Sequence, residues 1–333
     1  ITSDLNLDFR HIENPFVEFN REPLIPHCTS SDGPALAIGD LNNDGLDDIF
    51  IGSSKRKKRA CFIQNQDARF TQQNLLPMGE DSIYEEVDAV ILDVNNDNKN
   101  DLLVANGGNE YRLTSKYNRT LAYLGDGKLM NKNDIIFDSV QLTASCILPG
   151  DFNNDGYEDV FIGARANPWN YGEIPKSYLF INKQDGNFAQ AEKDVSDILS
   201  TIGFVKNGQW IDIDKDGDQD LILAAEWSEL IILLNENNTF KTHRIGDKKG
   251  WWNFVKVQDY DNDGDLDILA GNVGLNTRLK ASATYPVKMY YADFDDNRTR
   301  EQILTYYLQG KEIPFSNMME IQKQIPMLKK KFL

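Results

Sequence analysis

The stretch Asp40-Leu-Asn-Asn-Asp-Gly-Leu-Asp-Asp48 sets out a pattern that returns at Asp93–Asp101, Asp151–Asp159, Asp212–Asp220 and Asp259–Asp267. A looser sixth copy runs from Asp293 to Glu301. Oxygen-bearing side chains stand at alternate positions and again at the ninth. A Ca²⁺ ion takes six to eight hard oxygen ligands at about 2.3–2.6 Å, and a curled loop can bring such side chains onto one ion. In the first loop the ligands are Asp40, Asn42, Asp44 and Asp48, joined by the Leu46 carbonyl. The second offers Asp93, Asn95, Asp97 and Asp101 with Lys99, the third Asp151, Asn153, Asp155 and Asp159 with Tyr157. Next come Asp212, Asp214, Asp216 and Asp220 with Asp218, then Asp259, Asp261, Asp263 and Asp267 with Asp265. Asp293, Asp295, Asn297 and Glu301 complete the sixth. The sharp turn at position 6 is met by Gly45, Gly156, Gly217 and Gly264, with Asn98 in the second loop and Arg298 in the sixth. The cofactor implied is Ca²⁺, five ions with a sixth from the looser loop.

The flanks say which elements position these loops. An EF-hand needs a bidentate Glu at position 12. Here that position holds Ile51, Val104, Ile162, Leu223, Ala270 and Leu304, all apolar. Each loop is left by a short apolar run such as Asp48-Ile-Phe-Ile or Asp220-Leu-Ile-Leu, of strand length. Further strands are expected at Ala60–Asn65, Thr120–Leu124, Tyr178–Asn182 and Leu230–Asn235, with turns leading to an outer strand that ends near Phe188 or Phe240. That is four strands per repeat. Successive loops start 53, 58, 61, 47 and 34 residues apart, and the first four intervals suit one propeller blade each. The fold class is all-β, a β-propeller of four-stranded blades with a short helical C-terminal tail.

Charge supports the metal reading. The six stretches hold 25 of the 52 acidic residues and four basic ones, a net of −21, while the rest of the chain sums to +4. Such a balance excludes nucleic acid as partner, since a phosphate backbone requires clustered Lys and Arg. No apolar run is long enough for a transmembrane segment. Cys28, Cys61 and Cys146 form no Cys-x-x-Cys, and three histidines are too few for a His-rich metal centre.

Antiparallel geometry separates two faces. If the acidic loops all join first to second strands, the other long connections emerge on the opposite side. There the sequence places Glu110, Tyr111, Trp169, Tyr171, Trp227, Trp251 and Trp252. Aromatic side chains among polar ones suit a glycan or protein ligand. Blade-closing wedges are the competing role for Trp251 and Trp252. The run Lys55-Arg-Lys-Lys-Arg59 on this face reads as a solvated loop tip. No nucleophile elbow, metalloprotease or nucleotide motif occurs. A polysaccharide-acting role for Glu110 or Glu226 with Tyr111 or Arg112 ranks below binding and below a calcium-braced scaffold.

The Asp-x-Asn-x-Asp-Gly-x-x-Asp loop followed by a strand and Gly resembles the FG-GAP/VCBS repeat of the integrin α-subunit propeller. Phe16–His27, Gly107-Gly-Asn-Glu-Tyr111, Gly250-Trp-Trp-Asn253, Gly271–Asn276 and Leu328-Lys-Lys-Lys-Phe332 are similar to Bacteroidetes surface proteins related to cartilage acidic protein. The resemblance implies about seven blades in the full-length family, five of them clear here, and a chain that continues into further domains. It also implies an extracellular or outer-membrane surface location, often as a lipoprotein anchored upstream of residue 1, and an adhesion partner that is a glycan or a surface protein. The expected division is 1–33 as an N-terminal extension with a closing strand, 34–310 as the propeller and 311–333 as a helical tail. In that tail Asn317 and Glu320 have capping-box spacing, and Met318, Met319, Ile321, Ile325 and Leu328 form an apolar stripe that Pro326 interrupts.

Overall fold

The computed structural model describes residues 4–331 except 78–79, 134–135 and 138–139. Phe332, part of one motif above, lies outside the described residues. Three sheets follow the expected plan, each in sequence order. They are β1 (Leu36–Gly39), β2 (Asp48–Ile51), β3 (Ala60–Gln64) and β4 (Phe70–Gln73); then β5 (Glu86–Leu92), β6 (Asp101–Asn106), β7 (Leu121–Gly125) and β8 (Met130–Asn133); then β9 (Thr143–Gly150), β10 (Asp159–Ala166), β11 (Tyr178–Asn182) and β12 (Phe188–Gln190). The fourth sheet orders β13 (Phe204–Ile211), β14 (Asp220–Asn235), β15 (Phe240–Gln258) and β16 (Asp267–Asn272), and a fifth has three strands, β17 (Lys288–Ala292), β18 (Glu301–Leu308) and β19 (Lys311–Pro314). All pairings are antiparallel.

β14 and β15 are longer than any blade strand because each contains a fold. Fifteen residues of straight strand span about 50 Å, yet the Asn235 amide donates to Asp220 Oδ1 at 2.8 Å. β14 therefore doubles back at Glu226–Ser228, and its two arms are the second and third strands of a blade. β15 supplies the outer strand with Phe240–Ile245, still meets β14 at Gly250 and Trp251, and from Trp252 pairs with β16. The hairpin of the fifth loop thus has no outer pair of its own, which accounts for the short interval that follows it. The outer strands β12 and β15 begin at Phe188 and Phe240 instead of ending there.

The blades pack face to face. One core layer joins Val87, Leu103 and Ala105 to Ile147, Val160 and Phe180, between the second and third sheets. Others lie between the first and second, around Phe50 and Tyr123, and between the third and fourth, around Phe161 and Leu223. The inner strands are cross-linked by side chains. Asp88 Oδ2 accepts from Ile147 N (2.9 Å), Ser145 Oγ donates to the Val205 carbonyl (2.6 Å) and Gln209 Oε1 accepts from Val257 N (2.9 Å). Such radial stacking is a propeller.

Trp210 is the tryptophan that wedges between blades. Its Nε1 donates to the Leu148 carbonyl at 3.1 Å, and its ring lies over Gly150, where a Cβ would stand 2.5 Å from the indole. Gly150→Ala is expected to destabilise the chain by about 1–3 kcal/mol, as overpacking does. A thermal melt checks this, and an unshifted transition would show the contact to be loose.

The tail matches its local signals. Helix α1 (Met318–Gln324) has the Asn317–Glu320 capping box, and α2 (Leu328–Lys331) restarts after Pro326. Ile321 and Ile325 pack on Leu24, with Ile303 and Leu328 beside them. Met318 and Met319 do not join that stripe; they are 46% and 75% exposed. No helix among the described residues is long and apolar enough to cross a membrane.

Candidate functional site

Each acidic loop is shaped by its own carboxylates. In the first, Asp40 accepts from the amides of Asp44 (3.0 Å) and Gly45 (2.8 Å), and Asp44 accepts from Leu46 (3.0 Å). The ninth residue staples the loop to the blade. Asp48 accepts from Leu41 N and from Gln64 N of β3, both at 2.9 Å. Asp101, Asp159 and Asp220 repeat this, each bonding the loop's second residue and an amide of the third strand. The sixth loop has the same wiring: Asp293 accepts from Asn297 N (3.1 Å) and Arg298 N (2.8 Å), and Glu301 from Phe294 N (3.1 Å). Arg298 adopts φ +71° where the others have Gly or Asn, so the missing glycine does not unmake the turn.

These residues fit a hard divalent cation. Ligand oxygens of Asp212, Asp214 and Asp220 lie within 4.8 Å of one another, as do those of Asp259, Asp261 and Asp263, and of Asp293, Asp295 and Glu301. Asp295 Oδ1 is buried without a protein partner. Burial pushes Asp101 and Asp159 up to about 6 against the pull of their amide donors, and neighbouring loop carboxylates add to the rise. A bound cation removes that repulsion.

The opposite face is not the open aromatic surface that the sequence suggests. Residues 12–35 run across it, and no strand forms in the described part of the N-terminal segment. Glu18, fully buried, anchors this strap. It accepts from Thr29 N (2.7 Å), Thr29 Oγ1 (2.7 Å), Ser30 N (3.1 Å) and the Asn109 side-chain amide. Ser54 donates to the Ile12 carbonyl (2.6 Å), Asn14 to Glu85 (3.1 Å), and Arg21 to the Asn109 carbonyl (2.6 Å). Glu18→Ala takes the acceptor from four buried donors and is expected to cost about 3 kcal/mol. Faster amide exchange at Thr29 and Ser30 is the readout; unchanged protection would mean the strap is held elsewhere.

Beneath the strap, His27 Nε2 meets Glu226 Oε2 (3.1 Å), and Asp32 pairs with Arg165 and with Lys206 (3.3 Å). Burial pushes the Glu226 carboxyl up, but the His27 bond and the charges of His27, Arg165 and Lys206 outweigh it and hold it at about 2. Burial beside Arg165 lowers Lys206 to about 8. Tyr171, one of the expected contact residues, is 2% exposed, with its hydroxyl between Glu226 (3.4 Å) and Trp227 Nε1 (3.0 Å). Trp227 and Trp251 are half-buried and meet edge to face at 5.3 Å. Trp252 instead joins the blade core with Val255 and Leu230.

Glu110, Tyr111 and Trp169 form a second group. Glu110 is ion-paired to Lys55, whose ammonium also lies 4.0 Å from the Tyr111 ring. Trp169, 43% exposed, is flanked by Arg21 at 4.5 Å and Arg112 at 4.7 Å. Lys55 and Arg59 are therefore not a solvated tip; Arg59 donates to Glu86 (2.9 Å) and Tyr123 (2.8 Å). Trp169 and Trp227 hold φ of +70° and +62°, a strain of about 1–3 kcal/mol each for bulky residues. Sequence reasoning missed His27, Lys248, Lys249 and Asn272; the Lys pair directly before Gly250-Trp-Trp was the available signal.

The FG-GAP-like repeat model matches residues 40–104, 93–162, 151–223 and 212–270, together well over half of the chain. The chain belongs to the FG-GAP-like repeat family. No curated protein sequence matches it significantly. Among solved structures, it is similar to an Agrocybe aegerita lectin that recognises non-reducing terminal N-acetylglucosamine, at 15% identity and TM-score 0.50, covering 86% of this chain and 67% of the lectin. That likeness is one of fold. A putative exo-β-1,3-galactanase from Bifidobacterium bifidum s17 shares 10% identity over 85% of this chain and 91% of its own, at TM-score 0.42. The V. cholerae biofilm matrix protein Bap1 shares 18% over 65% of this chain and 34% of its own, at TM-score 0.32.

Proposed function

We propose that this chain is a non-catalytic, calcium-loaded propeller module, displayed outside the cell or on an outer-membrane surface, that binds a glycan or a surface protein on the face opposite its calcium loops. Calcium is held by the six ligand sets from Asp40–Asp48 to Asp293–Glu301 and supplies the charge that closes each loop. Millimolar extracellular calcium suits modest sites of this kind. The observation that carries the recognition role is the pairing of Trp227, held in a strained backbone conformation, with Trp251 in one cleft on that face. Strain of this sort persists at binding sites, and indoles present an apolar face with a polar edge.

Neither carboxylate weighed for catalysis is at liberty. Glu226 is held near 2 inside its ion cluster, so it has no proton to give at neutral pH, and Glu110 is committed to Lys55. The experiment is a glycan array run with the calcium-loaded protein, with and without EDTA. Binding that Trp251→Ala weakens supports the module. Signal-free arrays together with unchanged glycan after incubation would leave only the scaffold role, and cleaved products would replace binding by catalysis.

A further inference from the structure

We propose that the cleft beside Trp227 and Trp251 takes a sugar residue bearing a carboxylate or a sulfate. The inference rests on the recognition reading above and narrows its ligand class. The cleft encloses about 310 Å³, at the small end of ligand sites, which run from about 300 to 1,000 Å³. Its walls come from the bend of β14, the bend of β15 and the segment after β16.

Polarity defines what fits. Thirteen residues line the cleft and none is acidic, whereas 52 acidic residues in 333 would place about two in such a patch. Lys248 and Lys249 stand in the lining, with no ion pair among the described residues. A third cation, Lys280, is not in the lining but donates to the carbonyl of the lining residue Leu275 at 2.7 Å. Asn272 spends its Oδ1 on Gly274 N (2.9 Å), which leaves its Nδ2 as a donor. That amide fills the space a side chain at residue 250 would need, since a Cβ on Gly250 would fall 2.0 Å from Nδ2. The side-chain polar groups facing the ligand are thus mainly donors, which ask for acceptors or an anion.

The remaining wall is apolar. Both indoles and the buried Leu279 give a surface for the C–H face of a sugar ring. An acidic peptide would satisfy the lysines but present no ring to the indoles. An amphipathic ring with a charged edge satisfies both.

The test is calorimetry on the full calcium-loaded chain with four probes: an oligogalacturonate, the same oligomer with its carboxyls reduced to alcohols, a sulfated galactan oligosaccharide, and oligoglutamate. The expected result is binding of one or both charged sugars, weakened about tenfold by carboxyl reduction and by Lys248→Gln with Lys249→Gln, as for loss of two charge-assisted contacts. Lys57→Gln with Lys58→Gln, a basic pair elsewhere on the surface, should leave it unchanged. Comparing the uronate and sulfate arms identifies the anion. Equal affinity for the reduced oligomer, or no loss in the Lys248/Lys249 variant, overturns the anionic assignment while leaving glycan recognition standing. Equal affinity for oligoglutamate overturns the sugar. No binding of any probe also overturns it, and the broad array then decides the recognition reading separately.

Discussion

Stripping calcium from the chain is expected to lower its melting temperature by roughly 10–20 °C. Asp212, Asp214, Asp216, Asp218 and Asp220 place five carboxylates in nine residues, and three of them meet within 4.8 Å. Folding without metal forces that proximity, whereas the unfolded chain relaxes it. A site with a dissociation constant of about 10⁻⁴ M, at about 1 mM free calcium, adds about 1.4 kcal/mol to the folded state. Six such loops add about 8 kcal/mol. The ninth residues transmit this to the blades, because Asp48, Asp101, Asp159 and Asp220 each bond an amide of the third strand. Differential scanning calorimetry in EDTA and in excess calcium measures the effect. Equal transitions in both would mean the loops fold without the ion.

Replacing Glu226 with Gln should cost about 3–5 kcal/mol, because it leaves buried cations unpaired. Arg165 and Lys206 are 5% and 14% exposed in their side chains, and Asp32 alone cannot balance both. The same group predicts acid sensitivity. Its folded value of about 2 lies below the ordinary 4.5. A depressed carboxylate stabilises the fold above its unfolded value, and that contribution, about 3 kcal/mol, is lost as pH falls from about 4.5 to about 2. The Gln variant lacks this loss from residue 226. Melting the two proteins across that pH range therefore gives curves that converge toward acid. Parallel curves, or a variant as stable as its parent at neutral pH, would show that the cluster is not coupled to Glu226.

The repeat, the loops and most strands are legible because each is encoded locally. A nine-residue window contains its own ligands, and the apolar run after it is β2, β6, β10 or β18 at the predicted place. The capping box at Asn317 is equally local. What escaped the sequence is long-range. Glu18 and Asn109 are 91 positions apart, and His27 and Glu226 are 199 apart; nothing near either residue announces its partner. Without the strap, Tyr171 reads as an exposed loop aromatic, and with it Tyr171 is core. The two arms of β14 match the strands expected after Asp220 and at Leu230–Asn235, and the Asp220–Asn235 bond shows the bend between them. The second role of β15 escaped for a different reason: it changes partner from β14 to β16 between Trp251 and Trp252, which no local pattern marks.

The most direct test is the number of calcium ions the chain binds. Protein stripped with chelator and dialysed into calcium-free buffer would be titrated calorimetrically, with elemental analysis of the loaded sample. At least five equivalents per chain are expected, with the sixth removed by Asp293→Ala together with Asp295→Ala. Uptake of one equivalent or none, by a chain that is folded in the same buffer, would contradict it.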